Sequence, residues 1–123
     1  MRRIFLTGVI AAALLAPCAA SAEIVPAFGI TIQSCVVNSN GGGLTNGVNM
    51  VYYNTHPSSA TEVDFLVRYH GHAYVLTDRG TFTQNAQINH NLANSLVGRS
   101  WQGPNAKLCT VQRVYLENGK VLQ

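Results

Sequence analysis

The sequence predicts an all-β fold in which two antiparallel sheets pack face to face around one core. Three observations lead to this prediction: apolar residues alternate with polar ones over short segments, turn-forming residues separate those segments, and no stretch has a convincing helical period. The chain has 123 residues, of which 47% are hydrophobic and 11% charged, so it is long enough for one domain and apolar enough to bury a core.

The first 22 residues have the features of an export signal. A short basic start precedes an apolar run over residues 4–15, and the Ala-Ser-Ala segment at 20–22 supplies a small-x-small cleavage site. The apolar run is shorter than the roughly 20 residues that a transmembrane helix needs, and no later segment comes closer. We therefore expect cleavage after Ala22 and a secreted domain of residues 23–123, in the periplasm or outside the cell.

Export also decides how the three cysteines are used. Cys18 leaves with the signal; lipid attachment at Cys18 is the alternative, and Pro17 is a poor residue to precede a lipidated cysteine. Cys35 and Cys109 remain in an oxidising compartment without a Cys-x-x-Cys arrangement, so we expect them to form one structural disulfide. Closing a loop of about 75 residues stabilises the fold by about 4.5 kcal/mol through the entropy of the unfolded chain.

The strands follow from the alternation. The clearest strand covers residues 61–70, where four apolar side chains alternate with polar ones, and Gly71 then reverses the chain into a partner strand. The alternation slips once in the first strand of the core, which indicates either a β-bulge or a strand that changes from one sheet to the other. The further strands are expected at 30–37, 47–54, 72–77, 81–83, 86–92, 108–116 and 121–123.

The intervening segments are rich in turn-forming residues. We expect a flexible turn over 38–43, a reversal at 78–80, and an ordered polar loop over 94–107 that Trp101 anchors. About seven to eight strands in about 100 residues, with the disulfide tying the N-terminal strand to the penultimate one, favour an antiparallel immunoglobulin-like β-sandwich.

The net charge of +3 largely reflects the export signal. Arg2 and Arg3 leave with it, so six basic residues stand against five acidic ones in the mature domain, a formal charge of +1. The six basic residues are scattered along the chain, and we therefore expect no nucleic-acid partner. We also expect no membrane span and a monomeric protein.

The residues that enzymes need are scarce in this domain. Glu62 and Asp64 share a strand face beside Arg68, which is typical of a solvated ladder of charges rather than a catalytic pair. The sequence has no Gly-x-Ser-x-Gly elbow, and the triple glycine at 41–43 lacks the lysine and helix of a phosphate-binding loop. We expect neither catalytic activity nor a cofactor.

The histidines support an alternative function. His70-Gly71-His72 is the sharpest local signal, because a His-x-His pair on a strand can hold zinc or copper. Gly71 lies where the hairpin turns, so the simpler interpretation is that both rings point into solvent; further ligands would have to come from His90 or a carboxylate such as Asp78. A metal-handling or hydrolytic protein that uses His70, His72 and His90 is the alternative hypothesis.

Aromatic residues are numerous for so small a domain and favour a binding function. Exposed tyrosine and tryptophan side chains stack on sugars or anchor protein partners, although most of these rings are expected to fill the core. The candidate binding surface comprises Arg68, His70, His72, Tyr74 and Trp101. We expect a secreted binding or surface-interaction module for an unidentified protein or glycan.

Several stretches between residues 30 and 120 form a recognisable pattern. They are Thr-Glu-Val-Asp-Phe through Val-Arg-Tyr at 61–69, Asp-x-Gly-Thr-Phe at 78–82, Ile-x-His at 88–90, Gly-Pro-Asn at 103–105 ahead of Cys-Thr-Val at 109–111, and residues 114–119. In these stretches the chain resembles small secreted bacterial proteins of uncharacterised function with a single disulfide. It departs from them at 121–123, where an aromatic residue is expected. The resemblance implies export and a β-sandwich, and it carries over no activity and no site.

Overall fold

Eight strands make up the part of the chain that the computed structural model describes, residues 22–123. They are β1 (Glu23–Val25), β2 (Ile30–Ser39), β3 (Leu44–Asn54), β4 (Ala60–Tyr69), β5 (His72–Phe82), β6 (Gln87–Ser100), β7 (Leu108–Leu116) and β8 (Val121–Leu122). The predicted all-β class is confirmed. The expected export signal, with Cys18, lies outside the described residues, and none of the described segments is a helix long and apolar enough to cross a membrane.

The strands form two sheets. The first has the order β1-β7-β4-β5, and β8 pairs with the same edge of β7 as β1 does, further along that strand. The second has the order β2-β3-β6. All pairings are antiparallel except β1 with β7, which is parallel. The architecture is thus a sandwich of two largely antiparallel sheets, as the alternation of apolar and polar residues in the sequence predicts.

The core lies between the two sheets. The four apolar side chains of the alternation in β4 are all buried, as predicted, and they face apolar side chains of β3. Tyr52 of β3 lies at the centre, with its ring edge-on to Phe65 at 4.9 Å and to Phe82 at 5.8 Å between ring centroids. These aromatic contacts join the sheets in addition to burying apolar surface.

The predicted disulfide is confirmed and links the two sheets. Cys35 of β2 and Cys109 of β7 are both buried and lie 74 positions apart in the sequence. Ile24 of β1 pairs beside Cys109, so the short first strand covers the edge of β7 at the point where the bond is made. One side of the sandwich is therefore closed by a covalent bond.

The slip predicted in the first core strand is also confirmed. The register of β2 against β3 shifts between Ile32 and Ser34, and it shifts again between Val37 and Ser39. The first shift lets Ile32 and Cys35 both face the core, although three positions separate them.

The reversal predicted at residues 78–80 is wrong, because β5 is continuous through them. Between Arg79 and Phe82, β5 has one residue more than the segment of β4 with which it pairs, and it forms a β-bulge there. A Cβ atom on Gly80 would lie 2.9 Å from the Phe82 ring, so the bulge packs against the core at this glycine. A glycine within an apolar pattern indicates a turn or a bulge, and pairing with β4 decides between them.

The sixth strand is longer than predicted and replaces half of the predicted loop at 94–107. β6 has four residues, 93–96, opposite the single residue Gly47 of β3, and the alternation is lost in this bulge. Leu96 is buried in the core, and the Ser95 hydroxyl donates to the carbonyl of Val75 on β5 at 3.3 Å. The second half of β6 is therefore held by both sheets, and the loop covers only 101–107.

Removal of the disulfide should lower the stability of the domain strongly. Closure of the loop contributes about 4.5 kcal/mol, so we expect reduction to lower Tm by more than about 10 °C. Thermal unfolding with and without a reducing agent measures this effect. A Cys35→Ser/Cys109→Ser variant is the control, since its Tm should match that of the reduced protein and should not respond to the agent. An unchanged Tm of the wild type on reduction would contradict the prediction.

A side chain at Gly47 should destabilise the bulge of β6. Gly47 has a φ of +95°, and a Cβ atom would lie 2.7 Å from the carbonyl oxygen of Leu92. We expect Gly47→Ala to cost about 2–5 kcal/mol from backbone strain and the clash together. Gly41→Ala is the matched control, because Gly41 has a φ of +86° with no atom within 4 Å, so only the strain of about 1–2 kcal/mol applies. Chemical denaturation measures the free energy of unfolding of both variants. Equal losses for Gly47→Ala and Gly41→Ala would contradict the prediction, because they would show that the structure relieves the clash at position 47.

Candidate functional site

The candidate site lies where β5 and β6, the edge strands of the two sheets, run beside each other. This side of the sandwich is opposite the Cys35–Cys109 bond, and it is here called the β5–β6 side. The hydrogen bond between Ser95 and Val75 crosses it near its middle. A cavity opens on one part of this side, and a buried polar network lies on the other.

The cavity has a volume of about 640 Å³ and lies beside the turn between β4 and β5. That volume falls within the range of about 300–1,000 Å³ that is usual for small-molecule sites. Three residues of the predicted binding surface line it, namely His70, His72 and Tyr74. Arg99, at the end of β6, lies on the facing wall, since its guanidinium carbon is 5.8 Å from the centroid of the Tyr74 ring.

The turn that presents the two histidines has two residues, His70 and Gly71. Both have positive φ values, +44° and +82°, as the tight hairpin turn that matches the twist of the flanking strands requires. His70 bonds through Nε2 to the carbonyl of Gln102 at 3.2 Å, whereas the ring of His72 lies beside Tyr74. The two rings therefore contact different neighbours within the same cavity wall.

The loop over 101–107 is fixed from two directions. The Tyr69 hydroxyl donates to the carbonyl of Gly103 at 2.8 Å and accepts from the backbone N–H of Gln102. The Trp101 indole N–H donates to the carbonyl of Val37 at 3.1 Å, which is the anchoring role expected from the sequence. These bonds fix the loop, which contributes Gln102 to the cavity lining, to the ends of β2 and β4.

Two residues of the predicted binding surface lie outside the cavity. Trp101 directs its indole N–H to the backbone of β2, and it is not among the residues that line the cavity. Arg68 is exposed on β4, where its carbonyl accepts from the backbone N–H of Lys107 at 2.8 Å. The structure therefore brings together three of the five residues and separates the other two from them.

Sequence analysis missed Arg99, Ser95 and Gln102, which complete the cavity. They fall in the segment predicted as a loop; Ser95 and Arg99 belong instead to β6 and lie beside β5, whereas Gln102 lies in the loop and bonds through its backbone to Tyr69 and His70. The backbone N–H of Arg99 donates to the buried hydroxyl of Thr45 at 2.9 Å, which fixes the end of the strand. Gly98, with a φ of +76°, was the one local signal of an irregular strand at this position.

The other part of the β5–β6 side holds a network around the buried carboxylate of Asp78. The Tyr52 hydroxyl donates to Oδ2 at 2.7 Å, and Nδ1 of His90 lies 2.8 Å from Oδ2 and 3.0 Å from Oδ1. Asp78 belongs to one sheet, whereas Tyr52 and His90 belong to the other. This carboxylate therefore joins the sheets on the side that the disulfide does not close.

Tyr52 is held in its neutral form. Burial raises the pKa of the Tyr52 phenol well above its ordinary range, and the hydrogen bond and negative charge of Asp78 raise it further. A protonated phenol is the form that donates to the carboxylate, so the raised pKa keeps Tyr52 a donor to Asp78 above the pH at which an exposed tyrosine ionises.

The two acidic residues expected to form a ladder beside Arg68 have other partners. Glu62 accepts from Nε of Arg79 on β5 at 2.9 Å. Asp64 is buried, accepts from the Thr77 hydroxyl at 2.9 Å, and lies 3.7 Å from Nη1 of Arg113. Cross-strand partners decide these contacts, because Arg79 and Arg113 lie on the strands flanking β4, whereas Arg68 lies further along β4 itself.

The structure does not bring His70, His72 and His90 to one place. His70 and His72 lie beside the turn at the cavity, whereas the His90 ring is bound to Asp78 within the polar network. Among residues 22–123, no group of three or more histidine, cysteine or carboxylate side chains lies in position to hold a metal ion. The three histidines thus take part in two separate arrangements.

Comparison with known protein families, curated proteins and solved structures finds no match for this chain. The structure itself shows a small all-β protein with one disulfide, which is the part of the resemblance described above that concerns the fold. The membership of a bacterial secreted group stays a prediction from the sequence.

Ionisation of Tyr52 should require unfolding of the domain. The raised pKa means that the protonated phenol contributes stability fully below about pH 10, and that this contribution is lost as the pH rises further. Ultraviolet titration of tyrosinate should give superimposable curves for the folded wild type and for folded Tyr52→Phe. In denaturant, the two proteins should differ by one tyrosine equivalent. An additional titrating group in the folded wild type would contradict the prediction.

Proposed function

We propose that this chain is a secreted, non-enzymatic binding module and that its ligand occupies the cavity on the β5–β6 side. The observation that carries the proposal is the convergence of His72, Tyr74 and Arg99 on one open cavity of ligand size, from two different sheets. A few polar groups that converge in a preformed concave site are the usual arrangement for recognition of a small molecule or of one end of a larger one.

The three groups are available to a ligand. Within the described part of the chain, no hydrogen bond from a protein group reaches the His72 ring, the Tyr74 hydroxyl or the Arg99 guanidinium. The Tyr74 ring instead lies beside the His72 ring on one side and the Arg99 guanidinium on another. The backbone that carries them is held by strand pairing and by the bond from Arg99 to Thr45. A ligand would therefore meet polar groups that are already in place and would spend little free energy on ordering them.

The disulfide supports the proposed location and fold type. A disulfide between two buried cysteines is typical of proteins that fold in an oxidising compartment, as the export signal predicts. A bond that joins the facing sheets of a sandwich is also typical of immunoglobulin-like domains, and we propose that the fold is of this type.

A bulky side chain in the cavity should abolish ligand binding. His72 lines the cavity, is exposed and lies on the same face of β5 as Tyr74, so a tryptophan there would fill the space without disturbing the core. Glycan and peptide arrays probed with the purified protein identify ligands, and calorimetry then compares the variants. We expect His72→Trp to lose binding, whereas Gln112→Trp, at an exposed position of β7 outside the cavity, should retain it.

Two results would overturn the proposal. If neither array yields a ligand at micromolar concentration, a binding function is contradicted. If His72→Trp and Gln112→Trp bind an identified ligand equally well, the ligand does not occupy the cavity.

A further inference from the structure

We infer that the cavity on the β5–β6 side binds a saccharide that carries a carboxylate or sulfate group, and that Arg99 holds the acidic group. This inference rests on the proposed binding function, and it adds to it the chemical class of the ligand.

The charge of the cavity favours an anion. Arg99 carries a permanent positive charge, and no aspartate or glutamate is among the described residues that line the cavity. The arginines of the neighbouring strands are different, since Arg79 pairs with Glu62 and Arg113 lies beside Asp64. In the described chain Arg99 has no such carboxylate partner, so its positive charge is available to pair with an anionic group of a ligand in the cavity.

The position of Arg99 also suits recognition of an acidic group. Its backbone is fixed through Thr45, and its guanidinium lies over the face of the Tyr74 ring. This cation–π contact restrains the side chain but leaves the N–H groups on the rim of the planar guanidinium free. Those N–H groups can donate two parallel hydrogen bonds to a carboxylate or a sulfate.

The remaining walls favour a saccharide over a bare anion. A volume of about 640 Å³ is much larger than one sulfate or phosphate ion needs. Besides Arg99, the lining includes Ser100, Tyr74, His72 and Gln102, whose side chains carry groups of the kind that pair with the hydroxyls of a sugar ring. A nucleic-acid base would instead need the ring face of Tyr74, over which the guanidinium already lies.

Calorimetry with four probes tests the inference on the purified protein. The probes are an oligogalacturonate, which carries carboxylates, a heparin-derived oligosaccharide, which carries sulfates, the neutral maltohexaose, and inorganic sulfate. At least one acidic saccharide should bind at least about tenfold more tightly than maltohexaose and than inorganic sulfate, because maltohexaose cannot form the charge-assisted hydrogen bonds with Arg99 and sulfate cannot contact the other walls. The stronger of the two acidic probes identifies the acidic group.

Two matched arginine variants separate recognition by Arg99 from a general effect of charge. Arg99→Gln should weaken binding of the acidic saccharide at least about tenfold. Arg68→Gln removes the same charge from an exposed arginine outside the cavity, so it should change binding less than about twofold. Both side chains are exposed, and an unchanged Tm for each variant shows that the fold is kept.

The outcomes distinguish failure of this inference from failure of the proposed function. If maltohexaose binds as tightly as the acidic saccharides, and His72→Trp abolishes its binding, the acidic class is wrong while the binding function stands. Equal losses in the two arginine variants would show non-specific attraction and overturn the inference. Inorganic sulfate bound as tightly as the oligosaccharides, or a single-stranded oligonucleotide bound in their place, would also overturn it. If arrays and probes all fail to bind, both proposals fail.

Discussion

The covalent link between the facing sheets is the constraint on which the arrangement of this domain depends. Cys35 and Cys109 fix β2 against β7, and β1 then pairs with β7 beside the bond. With one side of the sandwich closed in this way, the other edge of each sheet lies on the opposite side, where β5 and β6 run beside each other. The cavity and the network around Asp78 both lie on that second side.

On the β5–β6 side, the two sheets are joined around Asp78, and a cavity opens to solvent around Arg99 and Tyr74. Around Asp78 the two sheets are joined by a buried hydrogen bond from Tyr52 and by the partly exposed His90 ring. Around Arg99 and Tyr74, beyond the hydrogen bond between Ser95 and Val75, residues of β5 and β6 instead line a cavity. A buried carboxylate is costly unless its donors are in place, so the network closes one part of the side, whereas the other part stays open as the cavity.

The sequence predicts the fold better than the site because the strands follow from local sequence patterns, whereas the site depends on contacts between residues that are far apart in the sequence. Alternation within β4 and the presence of two cysteines are local facts, and they predict a strand and a disulfide correctly. The bulges at Gly80 and at residues 93–96 interrupt the alternation, so they resemble turns until the pairing strand is known. The contact of Arg99 with Tyr74 joins strands of different sheets and follows from packing alone.

The placement of the disulfide has a mechanical consequence. The disulfide holds β2 to β7, whereas hydrogen bonds and packing join β5 to β6, so we expect local opening of the two sheets to begin at β5 and β6. Such an opening separates the two walls of the cavity. A ligand that spans both walls would resist it, because binding to the closed form alone adds its mass-action free energy to the closed state. Occupancy of the cavity by such a ligand would thus slow proteolysis of β5 and β6.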